Sequence, residues 1–295
     1  MIGRNDLCWC GSGNKWKKCH FPQVPVQKTM TDALVAHYRK QGILIKTPEQ
    51  MNGIRAAGKL TAEILDKTCA MAKAGVTTAE LDKYTARLCK EAGAIAAALH
   101  YGEPPFPKSI CTSLNEVVCH GIPDDVPLKE GDIVNIDIAT ILNGYYGDCS
   151  QMVVIGKTTP ERQLVVDTSY ECLMKAIEIL RPGIPVCAIG EAIENHATSK
   201  NCSVVYQFVG HGVGVRFHEG PQVAHFMNKN QTLLAPGMTF TIEPMINAGV
   251  PEAVIDPINH WTARTKDGRA SGQWEHTLLI TEDGYEILTP WKRKH

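Results

Sequence analysis

Five side chains in this sequence carry the means for hydrolytic metal chemistry: Asp137, Asp148, His211, Glu243 and Glu275. The first two can be placed relative to each other from local patterning. Ile133, Asn135, Asp137 and Ala139 share one parity, and Val134, Ile136 and Ile138 take the other, which is the alternation of a strand. Asn143-Gly144 is the signal of a two-residue type I′ hairpin. That turn sets Asp148 opposite Ala139 and Asp137 opposite Ser150, so the two acids become diagonal neighbours on one face. Their Cβ atoms then lie at most about 7–8 Å apart. Two carboxylates that close do not both stay ionised in an interior, and a cation between them removes the conflict. The plainer alternative is two solvent-facing acids on a hairpin, and a bulge would break the register.

The other three groups sit in apolar or strand-like segments, where an unpaired charge is costly. His211 lies in Val209-Gly210-His211-Gly212-Val213-Gly214, Glu243 in Thr241-Ile242-Glu243-Pro244-Met245, and Glu275 in Gln273-Trp274-Glu275-His276-Thr277. One imidazole and four carboxylates suit two divalent cations, with hard oxygen donors for Mn, Fe, Co or Zn. Two metals about 3.5–4 Å apart can activate one water and clamp both ends of a displacement. A separate constellation opens the chain: Cys8, Cys10, Cys19 and His20 form a Cys₃His zinc set within thirteen residues. Gly11 and Gly13 permit the turn that brings the chain back to the metal. So short a segment cannot build a core, so metal has to supply its folding energy. The alternative there is a basic tail with incidental cysteines.

The elements that position the five groups repeat. Thr47-Pro48-Glu49 and Thr159-Pro160-Glu161 both read as helix starts, with Thr at N-cap, Pro at N1 and an acid in the first turn. Both helices end near a basic residue and a glycine, Lys73-Ala74-Gly75 and Arg181-Pro182-Gly183. A second helix follows in each case, the first opened by the capping box Thr77-Thr78-Ala79-Glu80, the other over roughly 186–200. Strands come next, with Asp132-Ile133-Val134-Asn135-Ile136-Asp137 matching Met238-Thr239-Phe240-Thr241-Ile242-Glu243. Two helix–helix–strand halves, placing Asp137 and Glu243 at related positions, is the expected architecture.

The chain has 295 residues, 44% hydrophobic and 21% charged, with net charge −1. This is ordinary globular usage, which excludes collagen, coiled coil and wholesale disorder, and no global field draws the protein to nucleic acid or lipid. Residues 1–29 are the exception, with five basic residues against Asp6, or +4. No apolar run reaches the ~20 residues of a membrane span, and no secretory signal is visible. Eleven cysteines without disulfide-like spacing suit a reducing compartment. Cys119 and Cys149 read as core cysteines facing away from the chemistry. His37, His196, His225, His260 and His295 have no ligand-like context and read as surface or locally bonded. Gly210-x-Gly212-x-Gly214 lacks the third glycine and the helix of a dinucleotide loop.

From about Thr47 to Pro290 the chain resembles the type I methionine aminopeptidases of the creatinase-like pita-bread fold. The motifs are Lys108-Ser109-Ile110-Cys111, Asn115-Glu116-Val117-Val118-Cys119-His120-Gly121-Ile122-Pro123, Asn135-Ile136-Asp137 with Gly147-Asp148, Gly210-His211-Gly212-Val213-Gly214, Phe217-His218-Glu219-Gly220-Pro221, Thr241-Ile242-Glu243-Pro244 and Trp274-Glu275-His276-Thr277. The interval from His211 to Glu243 leaves no room for the insertion of type II enzymes. The resemblance implies an α+β fold with two pseudo-symmetric halves around a central antiparallel sheet. It also implies that Asp137 chelates one metal, that Asp148 and Glu275 bridge two, and that His211 and Glu243 complete the other shell. Glu243 would also take the proton of the attacking water, His218 would steady the oxyanion, and His120 would contact the scissile nitrogen. Tyr101, Phe106, Cys111, Phe217 and Trp261 would line the methionine pocket, although 100–107 fits the family loop only with a gap. The first segment resembles the SEC-C zinc motif, a docking module for protein or ribosome; its charge, Trp9 and Trp16 also permit contact with RNA phosphates.

The expectation is therefore a zinc motif over 1–21, a linker and lead-in over 22–46, and a metallopeptidase domain over 47–295. The domain would hold two divalent metal ions and act in the cytoplasm on nascent polypeptides that begin with Met and a small second residue, without membrane or sequence-specific nucleic-acid partners. The alternatives are a prolidase or aminopeptidase P of the same fold, and a non-catalytic pita-bread binding protein. Such binding proteins typically lose metal ligands, whereas all five candidates are present here.

Overall fold

The computed structural model describes residues 5, 14–19 and 31–292. Of the Cys₃His set, only Cys19 is among them, exposed at the end of the short helix Trp16–Cys19. Cys8, Cys10 and His20 lie outside the described residues, as do His295 and the expected linker up to residue 30.

The two repeats are built as the capping signals dictate. Thr47 accepts from Gln50 N–H and starts the helix Pro48–Met71; Thr159 accepts from Arg162 N–H and starts Pro160–Glu178. The second helices are Thr78–Glu91, opened by the Thr77/Glu80 capping box, and Cys187–Ser199, which has no side-chain cap. Gly75 and Gly183 turn at φ of 90° and 87°, and Gly131 and Gly237 lead into the strands at 91° and 85°. These are backbone positions that favour glycine, and they match between the halves.

The strands form antiparallel sheets. One has Ile133–Leu142 at its centre, paired with Tyr145–Val154, Cys111–Leu114 and the short strand Ile95–Ala96. Another runs in the order Tyr285–Ile287, His276–Ile280, Thr239–Ile242, Gly210–Gly212, Glu219–Val223. An isolated antiparallel bridge between Ser150 and Glu275 joins them. Helices cover the outer face, and Ile133, Val134, Ile136 and Ile138 are fully buried in the main core. Residues of both parities are buried, Asn135 and Ala139 among them. Strands covered on both faces lose the in–out polarity of a solvated sheet. Gly147, next to Asp148, lets the long helix lie against the hairpin: a Cβ there would sit 2.6 Å from the Gly58 nitrogen.

The lead-in is part of this body from residue 31 onward. Thr31 caps the helix Asp32–Lys40, Tyr38 is buried and bonds the Leu233 carbonyl at 3.0 Å, and Ile43 bridges to Gly220. No helix among the described residues is long and apolar enough to cross a membrane.

Candidate active site

Asn143 and Gly144, at φ of 51° and 82°, make the two-residue turn. Its register sets Ala139 opposite Asp148 and Asp137 opposite Ser150. Both acids line one cavity of about 860 Å³. Glu275 joins them because its N–H donates to the Ser150 carbonyl at 3.2 Å, while the Thr277 hydroxyl donates to the Asp148 carbonyl at 2.7 Å. Donor atoms of Asp148, His211 and Glu275 all lie within 4.8 Å of one another. Asp137 lies outside that tightest group, one diagonal step along the hairpin.

His211 is fixed from behind. Its Nδ1 bonds the Gly212 carbonyl at 3.0 Å. A carbonyl has no proton to give, so Nδ1 carries the hydrogen and Nε2 presents its lone pair to the cavity. That nitrogen is 3.7 Å from Asp148 Oδ2 and 3.6 Å from Glu243 Oε1. These gaps are too long for good hydrogen bonds. They lie at or just above the upper end of the roughly 3–3.6 Å between donors that share a cation at about 2.0–2.2 Å. The Thr241 hydroxyl donates to Glu243 Oε1 at 2.7 Å and accepts from His211 N–H at 3.0 Å, tying the two candidate ligands together. Gln273 Nε2 donates to Glu243 Oε2 at 3.2 Å.

Burial pushes all four carboxyls above their ordinary range, and repulsion from acidic neighbours adds to it at Asp148, Glu243 and Glu275. Desolvation, with His218 nearby, lowers His211 to about 3. Without cations, burial opposes the ionisation of these carboxyls. A neutral imidazole and carboxyls that need positive charge to ionise fit divalent metal ions.

The remaining candidates surround this cluster. The His218 and His211 ring centroids are 4.0 Å apart, and Tyr101 Oη bonds His218 Nδ1 at 2.7 Å. Desolvation lowers both His218 and His120 to about 4. His120 sits at φ 55°, an uncommon conformation for a side chain with a Cβ. Its ring meets Phe208 and Trp261 edge-on. Phe106 is buried and T-shaped on Trp261 at 5.3 Å. Backbone bonds His100 N–H to Phe106 carbonyl and Phe106 N–H to Tyr101 carbonyl, both 2.8 Å, close the loop. Residues 102–105 are exposed, the Trp261 Nε1–H donates to the Pro104 carbonyl at 2.9 Å, and Tyr101 and Phe106 both line the cavity. Cys111 and Phe217 line it as well, with Phe217 edge-on to Tyr101 at 4.8 Å.

The sequence reading passed over several groups here. Gln41, Ile43, Gln207, Phe208 and Met245 also line the cavity. His225, expected at the surface or locally bonded, is instead fully buried, and its Nε2 accepts the Glu243 N–H, 18 positions away, at 3.2 Å. Lys46 and Glu219 form a buried ion pair of 3.1 Å, their side chains 0% and 1% exposed. Glu219 Oε1 also accepts the Val215 N–H at 3.1 Å, bracing the loop that carries Phe217 and His218. Burial lowers the Lys46 pKa, and Glu219 partly restores it. Lys46→Met should strand that carboxylate and cost about 3–5 kcal/mol, lowering Tm by roughly 6–20 °C. A thermal scan with an unchanged Tm would show that the pair carries no such load.

A family model described as metallopeptidase family M24 matches residues 52–282, and one for the SEC-C motif matches residues 4–22. A methionine aminopeptidase of Chlamydia pneumoniae is 59% identical over 97% of this chain and 98% of its own length. That of Escherichia coli K12 is 46% identical over 84% of this chain and 94% of its own. The crystal structure of methionine aminopeptidase from Rickettsia prowazekii superposes with a TM-score of 0.81 at 45% identity, covering 84% of this chain and 99% of that one.

Proposed function

This chain belongs to metallopeptidase family M24, and we propose that it removes the N-terminal methionine from new polypeptides whose second residue is small. The observation that carries the reading is one cavity in which an aromatic and sulfur-lined slot of Phe106, Phe208, Trp261, Cys111 and Met245 meets the cluster of metal-ligand donors. A thioether suits such a slot. Asp137, Asp148, His211, Glu243 and Glu275 would hold two divalent cations, with Asp148 and Glu275 as the ligands common to both. Bound there, the cations supply Lewis acidity and a water activated near neutral pH.

The chain's own groups do the rest. Glu243, braced by Thr241 and Gln273, accepts the proton of the attacking water. His218 is neutral, with one ring N–H to give. When Tyr101 donates to Nδ1, that hydrogen sits on Nε2, free to meet the developing oxyanion. His120, on the Trp261 and Phe208 side, contacts the scissile nitrogen. The groups crowding the scissile bond leave little volume for the second residue. Overpacking there costs about 1–3 kcal/mol, roughly 5–150-fold in rate.

A peptide panel tests this reading against prolidase-type activity. Met-Ala-Ser should release methionine, Met-Leu-Ser should do so roughly 5–150-fold more slowly, and Ala-Pro should remain whole. Faster cleavage of Ala-Pro than of Met-Ala-Ser would overturn it. We further propose that residues 1–21 bind one structural zinc through Cys8, Cys10, Cys19 and His20, separate from the metallopeptidase domain at 47–295. Their excess of positive charge docks the enzyme to ribosomes in the cytoplasm. The SEC-C match supports this. Metal analysis should find one zinc per chain that survives Glu275→Gln, and its absence from the full chain would refute the zinc assignment.

A further inference from the structure

The metal cluster has a back wall whose residues are absent from the reaction steps above. Behind Glu275, the segment from Leu288 to Lys292 runs beside the strand His276–Ile280. The Leu288 N–H donates to the Thr277 carbonyl at 2.9 Å, and the Thr289 hydroxyl accepts from Thr277 N–H at 3.0 Å. Next comes Trp291, nearly buried at 9% exposure. Its ring stacks on His276, centroids 4.1 Å apart and planes at 17°, and packs on Trp274 at 5.3 Å. Its indole Nε1–H donates to the Glu275 carbonyl at 3.0 Å.

Glu275 is therefore pinned at both of its backbone polar groups. Its N–H is held by Ser150, two residues from Asp148, and its carbonyl by Trp291. The strap is itself anchored to Asp148's strand through a shared acid: Asp66 accepts Lys292 N–H at 3.0 Å and Gln151 Nε2 at 2.9 Å. A carboxylate on a four-bond side chain is aimed by its backbone, and partners that orient a ligand typically change metal affinity 10–100-fold.

We propose that Trp291 is a positioning residue: its indole N–H fixes the backbone of Glu275, so the 288–292 strap sets how tightly the cleft binds divalent cations. This rests on the reading of Glu275 as a metal ligand. The test uses the metal-stripped full chain titrated with Mn²⁺, a hard cation that a thiolate-rich segment takes poorly. Binding is read by calorimetry and by the EPR spectrum at saturation. Trp291→Phe keeps a ring against His276 and removes the donor to Glu275. It should weaken Mn²⁺ binding about tenfold, the low end for an indirect partner, and alter the EPR spectrum. Tyr170→Leu is the control. Tyr170 packs against the same two tryptophans, at 5.3 and 6.4 Å. Its removal should lower Tm while leaving the Mn²⁺ affinity and spectrum as in the parent.

The strap proposal is overturned if Trp291→Phe binds Mn²⁺ like the parent, or if Tyr170→Leu weakens binding equally, which would make the effect general loosening. Glu275→Gln in the same titration separates the two claims. If it binds Mn²⁺ normally, the ligand reading fails and the strap proposal with it. If it loses binding while Trp291→Phe does not, the strap proposal fails alone.

Discussion

Asp148→Asn should leave a folded chain with roughly 10²–10⁴-fold less activity on Met-Ala-Ser, because in the proposed role of a ligand common to two cations its loss of charge forfeits several kcal/mol of transition-state stabilisation. The change is close to isosteric, and it removes a carboxyl whose ionisation burial and its acidic neighbours already oppose. The metal-free Tm should therefore hold or rise. What should collapse is the gain on adding metal, about 2.7 kcal/mol for a parent site at a hundredfold excess over its dissociation constant. Glu275→Gln should behave alike, since burial and the same neighbours raise that carboxyl too. Parallel thermal scans and rate assays at matched metal occupancy check both variants. Near-parent turnover in either would contradict a shared bridging role.

His218→Ala should separate catalysis from metal binding. A single oxyanion donor is worth roughly 10²–10³-fold in kcat, and His218 adjoins the cluster without holding it. Its ring is 4.0 Å from that of His211, and its Nδ1 is engaged by Tyr101. The metal-induced rise in Tm should be unchanged in this variant. If instead metal binding is lost together with activity, His218 acts as a ligand and the division of roles is wrong. Tyr101→Phe should give a milder loss in kcat, because it leaves the imidazole but removes the partner that sets its tautomer.

The hairpin was legible because its register is a local property. Once Asn143-Gly144 commits to a two-residue turn, every pair from Leu142–Tyr145 to Ile133–Val154 follows. The twofold repeat was legible for a similar reason, since Thr-Pro starts and glycine turns act within a few residues of themselves. The braces were not. Thr241 and Gln273 on Glu243, His225 behind it, Lys46 on Glu219 and Trp291 on Glu275 are side chains meeting across 2 to 173 positions of chain. Nothing in their local sequence marks the partner. His225 illustrates the limit: between Ala224 and Phe226 it reads as a surface or locally bonded histidine, and only the packed fold puts its Nε2 beneath the Glu243 N–H. The lead-in misled in another way. Its apolar residues are as frequent as elsewhere in the chain but carry no mark of their partner, and Tyr38 and Ile43 find cover on the second half of the fold.

The most direct measurement is methionine release from Met-Ala-Ser by the metal-stripped full chain as a divalent cation is added back. A cleft whose buried carboxyls resist ionisation without cations, and whose water needs a cation to be activated, should release no methionine when stripped. Activity should return as the cleft fills, and should not return in Asp148→Asn at the same cation concentration. Undiminished release by the stripped chain, or equal recovery in the variant, would contradict the account.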